Sequence, residues 1–320
     1  MHLITGGAGF IGSSLVRVLL AQGHRVIVVD DLSRGKKEFL SAYVADAAFS
    51  FVQVDCSDTS SFKEAIAPSH AQFPITEVWH LAANSDIPAG VADPRVDLQR
   101  TFMTTFATLE VMKALDIPAL HFASSSAVYG DLNNVAIAEV SGPPEPISNY
   151  GAMKLASEVQ IRAAVESWLL RADIYRFPNV IGVPATHGVL IDFVRKLHAT
   201  PDHLDVLGNG EQQKIYLHVE DLICAMIHIA AKVEGRFNVY NIGPDDDGIT
   251  VREIAEVVRD LVAPSAEIRF GEGARGWVGD VPRFRYDVRK IARTGWRPRM
   301  GSREAVRLAV KQIASQETVS

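Results

Sequence analysis

Tyr150 and Lys154 stand four residues apart in the run Tyr150-Gly151-Ala152-Met153-Lys154. On a helix that spacing puts the phenol and the amine on one face, one turn apart. An ammonium group so placed stabilises a phenolate, lowering the tyrosine pKa towards neutrality, where the phenol acts as general base or acid. A neighbouring hydroxyl could share the substrate's proton, and Ser124, Ser125 and Ser126 supply three in a row. Alone, a Tyr/Lys pair of this kind is common on helices. Its place gives it weight: it follows five strand–helix units and lies just beyond the serines.

A second group opens the chain: Thr5-Gly6-Gly7-Ala8-Gly9-Phe10-Ile11-Gly12, after the apolar start His2-Leu3-Ile4 and before a helix through Gln22. Glycines at 6, 9 and 12 allow a tight turn, close approach of backbone to a pyrophosphate, and close packing of helix on strand. The helix would then aim its N-terminal amides at the phosphates. The next strand, Arg25 to Val29, ends in Asp30, at the spacing where an acid holds the adenosine ribose hydroxyls.

The elements that must position these groups alternate. Strands are predicted at 49–54, 77–81, 119–123 and 173–177, with helices through 62–66, over Asp97 to Leu115, and from Tyr150 to Leu169. This rhythm predicts an α/β fold: a Rossmann-like, doubly wound parallel sheet covered on both faces. Beyond Pro178 the pattern changes to shorter pieces: a helix near 191–197, a turn at Gly208-Asn209-Gly210, a strand at 215–219, a helix over 220–231, and strands at 237–242 and 267–270. Thr250-Val251-Arg252-Glu253 is a capping box opening a helix through Leu261, and a last helix covers 303–313. We expect a nucleotide-binding core over residues 1–178, with 215–243 returning to it, and a smaller interwoven α/β part over 179–214 and 244–320.

The 320 residues suffice for a large core, and 48% hydrophobic with 22% charged residues excludes wholesale disorder. A net charge of −6 argues against a nucleic-acid partner. Two cysteines, Cys56 and Cys224, lack metal or redox spacing and point to a reducing compartment. With no leader-like stretch ahead of the first strand and no apolar run of spanning length, a cytoplasmic location and no membrane partner are expected. The ten histidines show no metal-ligand spacing, so no metal is expected, and no Gly-x-Ser-x-Gly elbow marks a serine hydrolase.

The chain resembles the extended short-chain dehydrogenase/reductases, within them the nucleotide-sugar epimerase/dehydratase family. The likeness rests on Thr5–Gly12, His80–Ala83, Ser124–Gly130, Tyr150–Lys154, Arg176–Gly182, Gly208–Gly210, Tyr216–Asp221 and Gly279–Pro282. It implies NAD as cofactor, epimerisation at carbon 4 of a UDP-hexose (UDP-glucose or UDP-galactose) through a 4-keto intermediate, and a homodimer. By the resemblance Gly6, Gly9, Phe10, Ile11 and Gly12 line the pyrophosphate, Asp30 with Asp31 serves the ribose, and Asp55 with Cys56 lies at the adenine. Leu81, Ala82, Ala83 and Phe177 line the cofactor channel. Tyr150 is the base, Lys154 tunes it and holds the nicotinamide ribose, and Ser125 is the catalytic hydroxyl, with Ser124 and Ser126 as alternatives. Ser125, Ser126, Tyr150 and Asn179 would meet the substrate. Val189, Leu190 and Phe193 suit one wall of a base pocket and Asp205, Val206 and Leu207 another, while Lys214, Arg275 and Asp280 would serve the diphosphate end.

Departures from the family pattern bear on the substrate. Related dehydratases place Asp-Glu after the catalytic hydroxyl residue, where this chain has Ser126-Ala127, so epimerisation is favoured over dehydration. Lys214-Ile215-Tyr216 replaces Arg-Asp-Tyr, exchanging a bidentate clamp for a point charge. Trp277 stands where an Arg is usual, Thr101 replaces an Asn, and Phe284 occupies a position that gates pocket size. Arg34 could hold a 2′-phosphate, but Asp30 and Asp31 would repel it, favouring NAD over NADP. The competing readings are a 4-keto reductase or an epimerase of another nucleotide sugar, and a non-catalytic dinucleotide sensor.

Overall fold

The computed structural model describes residues 1–131, 136–273 and 285–319. It divides into two compact units. The first comprises 1–130, 142–176 and 226–240; the second comprises 131–141, 177–225 and 241–320. Arg275, Trp277, Asp280 and Phe284 lie outside the described residues.

The first unit is built on a seven-stranded sheet. In chain order its elements are β1 (His2–Thr5), α1 (Phe10–Ala21), β2 (Val26–Asp30), β3 (Phe49–Gln53), α2 (Thr59–Gln72), β4 (Glu77–His80), α3 (Thr104–Ala114), β5 (Ala119–Ala123), α4 (Asn149–Ser167), β6 (Arg171–Arg176) and β7 (Phe237–Asn241). The strand order is β7-β6-β5-β4-β1-β2-β3, and the pairings from β6 across to β3 are parallel. The chain winds outward through β2 and β3, then crosses back to β4 on the other side of β1. That reversal makes a topological switch point at the C-terminal ends of β1 and β4, where doubly wound sheets receive ligands. The Rossmann-like expectation is correct.

Strands covered on both faces read as continuous apolar runs, and Val26 to Val29 are all fully buried. Helix α1 presents Leu15, Val16 and Leu19 to the sheet. Each such side chain contributes roughly 1.5–3 kcal/mol on leaving water. Helix α2 starts at Asp58, whose carboxylate accepts from the amides of Ser60 and Ser61, and buries Phe62 and Ile66.

The predicted single helix over 97–115 is interrupted. A turn Pro94–Asp97 leads into a π-helical stretch, Leu98–Met103, before α3 begins at Thr104. Threonines crowd this stretch, and the hydroxyls of Thr104 and Thr105 bond back to the Thr101 carbonyl at 3.0 and 3.2 Å. Such side-chain bonds compete with the regular helical ladder, and π turns recur where a helix serves a site.

The second unit has its own core, packed from helices Val189–Ala199, Val251–Val262 and Ser302–Val319 with short strand pairs. The capping box is present as expected: Thr250 accepts from the Glu253 amide while the Glu253 carboxylate accepts from the Thr250 amide. The strand Tyr216–His218 pairs in parallel with Asn179–Ile181, and Glu267–Phe270 with His203–Val206. Among the described residues no helix is long and apolar enough to cross a membrane.

Candidate active site

The opening turn is shaped by steric need. Gly6 has φ +71°, and a Cβ there would lie 2.7 Å from the Ala82 amide nitrogen, so the loop after β1 lies directly on the loop after β4. A Cβ on Gly12 would lie 2.4 Å from the Gly6 carbonyl oxygen, so only glycine lets α1 approach so closely. Helix α1 has no side-chain cap and no acid in its first turn, and its Ser13 amide is the one that closes back onto the Gly9 carbonyl. The Gly9 amide donates to the Gly6 carbonyl, which leaves the first-turn amides of Phe10, Ile11 and Gly12 facing the cradle, where the dipole favours an anion. This cradle fits a dinucleotide pyrophosphate.

Asp30, at the end of β2, is buried. Its two carboxylate oxygens accept from the amides of Ala8 (3.0 Å) and Leu32 (2.9 Å). Burial lifts its pKa and the two amide bonds oppose the rise. Asp31 turns instead to the Ser33 amide and hydroxyl, and Asp55 to the Ser57 amide. Cys56 is buried, and desolvation, aided by the charge of Asp55, pushes its thiol far up, which makes it inert. Arg34 is paired with Asp86 at 3.3 Å. Leu81, Ala82 and Ala83 follow β4, half-buried beside Gly6.

The three serines separate by environment. Ser124 is buried and donates its hydroxyl to Glu158. Glu158 in turn accepts from Arg176 Nη2 at 2.5 Å and Nε at 3.0 Å, and Arg176 Nη1 donates to the Tyr129 hydroxyl at 2.8 Å. Ser125 is half-buried; its Oγ accepts from the Ala127 amide at 3.2 Å, and it is the serine that acts on the Tyr150 phenol, drawing its pKa down against burial. Ser126 begins the short 3₁₀ turn that follows. Of the three, Ser125 is therefore the hydroxyl brought to Tyr150. The Ser124–Glu158–Arg176–Tyr129 chain escaped the sequence reading. Its one local signal was Glu158, four residues after Lys154 on the same face of α4.

Helix α4 starts with Ser148 as N-cap, its hydroxyl accepting from the Gly151 amide. Tyr150 is therefore in the first turn and Lys154 one turn on. Lys154 is 2% exposed; its amine donates to the Ala123 carbonyl at 2.6 Å and lies 4.6 Å from the centroid of the Phe122 ring and 5.9 Å from that of Tyr150. Desolvation brings its pKa down to about 7, against the charges of Glu158 and Asp97. The Tyr150 phenol is pushed up to about 12 by burial, which outweighs the Ser125 bond; the charge of Asp97 adds to the rise. This differs from the expected depression of Tyr150: burial of the phenol is the larger effect, and Lys154 itself loses charge by burial.

His80 is fully buried between two threonines, with Thr5 Oγ1 at 2.6 Å and Thr105 Oγ1 at 3.0 Å, and desolvation lowers it to about 3. It is a neutral structural group. His218, in the second unit, is held by Gln312 at 3.0 Å.

The remaining candidates belong to the second unit. Phe177 is half-buried, and Asn179 is exposed at the start of its strand. Leu190, Phe193 and Val206 are at most 4% exposed and lie within the core formed with Ile254, Val258 and Val306, not on an open wall. Val189 is half-buried at the edge of that core, Leu207 is 77% exposed, and Lys214 pairs in a short antiparallel ladder with Ile249. Arg275 and Asp280 fall outside the described residues.

Residues 2–243 match the model of the NAD dependent epimerase/dehydratase family. A UDP-glucose 4-epimerase from Halalkalibacterium halodurans is 31% identical over 279 residues, covering 81% of this chain and 79% of the relative. The crystal structure of a UDP-galactose 4-epimerase superposes with a TM-score of 0.84 at 34% identity, over 98% of this chain and 99% of that one. The Thermus thermophilus UDP-glucose 4-epimerase complex with NAD gives 0.83 at 30%, over 98% of both chains. With the glycine cradle, the switch point and the Tyr/Lys helix already in place, this chain belongs to the NAD-dependent epimerase/dehydratase family, as an enzyme whose cofactor is NAD.

Proposed function

We propose that this enzyme inverts carbon 4 of a UDP-hexose, interconverting UDP-glucose and UDP-galactose through a 4-keto intermediate. The arrangement that carries the reading is Tyr150 in the first turn of α4, with Ser125 acting on its phenol, Lys154 one turn on and anchored to the Ala123 carbonyl at the end of β5, and the glycine cradle in the same unit. Bound NAD supplies the acceptor for the carbon-4 hydride and a positively charged ring that favours the Tyr150 phenolate. Tyr150 would take the proton of the 4-hydroxyl, with Ser125 beside it, and would return it to the same oxygen when the keto group is reduced again. Lys154 holds the cofactor's ribose.

Gly6, Gly9, Phe10, Ile11 and Gly12 hold the pyrophosphate, Asp30 the ribose, and Asp55, Leu81, Ala82 and Ala83 flank the rest of the cofactor. Asn179, Val189, Leu207, Lys214, Arg275 and Asp280 serve the nucleotide-sugar. The first unit is thus the NAD-binding part and the second the nucleotide-sugar-binding part. Neither Ser126 nor Ala127 can act as the acid/base pair that water elimination needs. A homodimer follows from the family resemblance; sedimentation at micromolar concentration tests it, a monomer overturning it. A cytoplasmic location agrees with two free cysteines.

The deciding experiment is NMR of purified protein with UDP-glucose, UDP-galactose and their N-acetyl and uronate counterparts, followed to equilibrium. A glucose/galactose mixture from either pure sugar is expected, with no net change in nicotinamide. Turnover of an N-acetyl sugar alone would move the substrate, and consumption of reduced nicotinamide would make the enzyme a 4-keto reductase. Biological activity surviving Tyr150→Phe would favour a dinucleotide sensor.

A further inference from the structure

One buried polar chain has no part in the chemistry above. It runs from the end of β1 to the start of α3 through His80, the last residue of β4. Thr5 and His80 stand opposite one another in the parallel β1–β4 pairing. Thr5 Oγ1 lies 2.6 Å from His80 Nδ1, and Thr105 Oγ1 lies 3.0 Å from His80 Nε2. The Thr105 hydroxyl also reaches the Thr101 carbonyl, at 3.2 Å. Thr5, His80 and Thr105 are all fully buried, and burial keeps the imidazole neutral.

A neutral imidazole carries one N–H, so its two threonine bonds must run in one direction. With the proton on Nδ1, that nitrogen would donate to Thr5, and the Thr5 hydroxyl proton would have no acceptor among the described residues. A buried donor left unpaired costs about 1–3 kcal/mol. With the proton on Nε2 every group is satisfied: Thr5 donates to Nδ1, Nε2 donates to Thr105, and Thr105 donates to the Thr101 carbonyl.

The Thr5 end of this chain meets the glycine cradle. The Thr5 carbonyl accepts from the Leu81 amide at 3.1 Å, and the Gly6 amide donates to the Val29 carbonyl at 2.8 Å. Those two bonds hold the Thr5–Gly6 peptide between β4 and β2, in the plane of the sheet. Side chains stand off that plane, so the Thr5 hydroxyl bond to His80 is the one that resists rotation about the strand axis. Little rotation is tolerable, because a Cβ on Gly6 would already lie 2.7 Å from the Ala82 amide nitrogen.

We propose that His80 is a positioning residue of the dinucleotide site: as the Nε2–H tautomer it accepts the Thr5 hydroxyl proton at Nδ1 and so holds the Thr5–Gly6 peptide in the orientation that opens the glycine turn to a pyrophosphate. The role rests on the pyrophosphate lying at that turn, and its test needs no turnover. Long-range ¹H–¹⁵N correlation spectra identify the tautomer, the His80 signals being assigned by their loss in His80→Asn. Nδ1 is expected at the shift of an unprotonated ring nitrogen and Nε2 at that of a protonated one; the reverse overturns the proposal. Two variants then divide the ring. His80→Asn places an acceptor near the Nδ1 position and keeps the bond to Thr5. His80→Gln places an amide near the Nε2 position and keeps only the bond to Thr105. Each loses one hydrogen bond, so a role in the fold alone would not separate them. In calorimetric titrations of protein freed of dinucleotide, NAD binding should weaken by roughly tenfold in His80→Gln and by no more than about twofold in His80→Asn. Equal affinities in the two variants overturn the proposal. If either does not fold, Thr5→Val and Thr105→Val, which break the two ends of the chain at nearly constant shape, take their places. The loss must then appear in Thr5→Val and not in Thr105→Val; failure of these to fold overturns the proposal in favour of a role in the fold alone. Wild-type affinity for NAD in Gly12→Ala would instead overturn the placement of the pyrophosphate at the turn.

Discussion

Lys154 donates to the Ala123 carbonyl at 2.6 Å while its amine lies 5.9 Å from the Tyr150 ring centroid. The amine is thus anchored to the end of β5, and burial lowers its pKa from 10.5 to about 7. Between those values the unfolded chain binds more protons than the folded one, so stability rises with pH from about 7 to 10.5 and is penalised below 7. Lys154→Met removes that penalty. Because it also removes the charge that faces Glu158 and the bond to Ala123, the sign of its effect is set by both. Its stability relative to wild type should nonetheless be more favourable at pH 6 than at pH 9, by roughly 1–3 kcal/mol, in urea melts at the two pH values. The same change should lower kcat by about 100-fold or more, since it removes a group placed on the cofactor and beside the base.

The serine triplet separates stability from turnover. Ser124→Ala removes a buried donor to Glu158 and should cost about 1–2 kcal/mol of stability with kcat largely kept. Ser125→Ala should leave the melting midpoint near wild type and lower kcat by roughly 10–100-fold, with Tyr150→Phe lowering it by about 100-fold or more. Paired thermal melts and NMR turnover assays check this. Equal loss of turnover in both serine variants would deny Ser125 its separate role.

How much of this was legible in the sequence follows from the range of the forces. The strands and α1 show themselves by local pattern: Val26 to Val29 is a continuous apolar run, and Gly6 sits where the backbone needs a left-handed turn. The π stretch at 98–103 has no such signature, because it arises from how the threonines bond once the helix is packed. Leu190 and Phe193 have the apolar character of either a pocket wall or a core, and only their packing against Ile254 and Val306 distinguishes the two. The spacing of Tyr150 and Lys154 was readable. Their protonation was not, because burial dominates it, and burial is fixed by the packing of α4 on β5, whose residues lie about 30 positions earlier in the chain.

A second pH dependence lies elsewhere in the sheet. His121 is buried, stacked on Trp79 at 4.0 Å, with Asp173 Oδ2 at 3.2 Å and Glu77 Oε2 at 3.5 Å. Burial lowers its pKa, but the two carboxylates outweigh this and the net shift is upward. Such a group adds stability that is complete below its unfolded value of 6.5 and is lost as pH rises through the folded value. His121→Gln should therefore cost more stability at pH 5.5 than at pH 8.5, by about 1 kcal/mol, in urea melts at both. An equal cost at both pH values would mean that His121 is neutral in the folded chain.

Cofactor choice is set by Asp30 and by what holds Arg34. Arg34 is the cation near the ribose acid that could receive a 2′-phosphate, and it is already paired with Asp86 at 3.3 Å. Asp30 keeps its carboxylate at the end of β2 by accepting from the Ala8 and Leu32 amides, and would repel a phosphate brought against it. NAD should therefore bind at least about tenfold more tightly than NADP, a difference of about 1.4 kcal/mol. Asp30→Ser should narrow that ratio and, because it also removes an acceptor from two amides, lower the melting midpoint. Asp86→Ala, which frees Arg34 without touching those amides but removes the cap on the Ala89 amide, should narrow the ratio with a smaller loss of stability. Titration calorimetry of the three proteins with both dinucleotides measures this. An NADP affinity equal to that for NAD in the wild-type chain would show that the Asp30 charge does not reach the 2′ position.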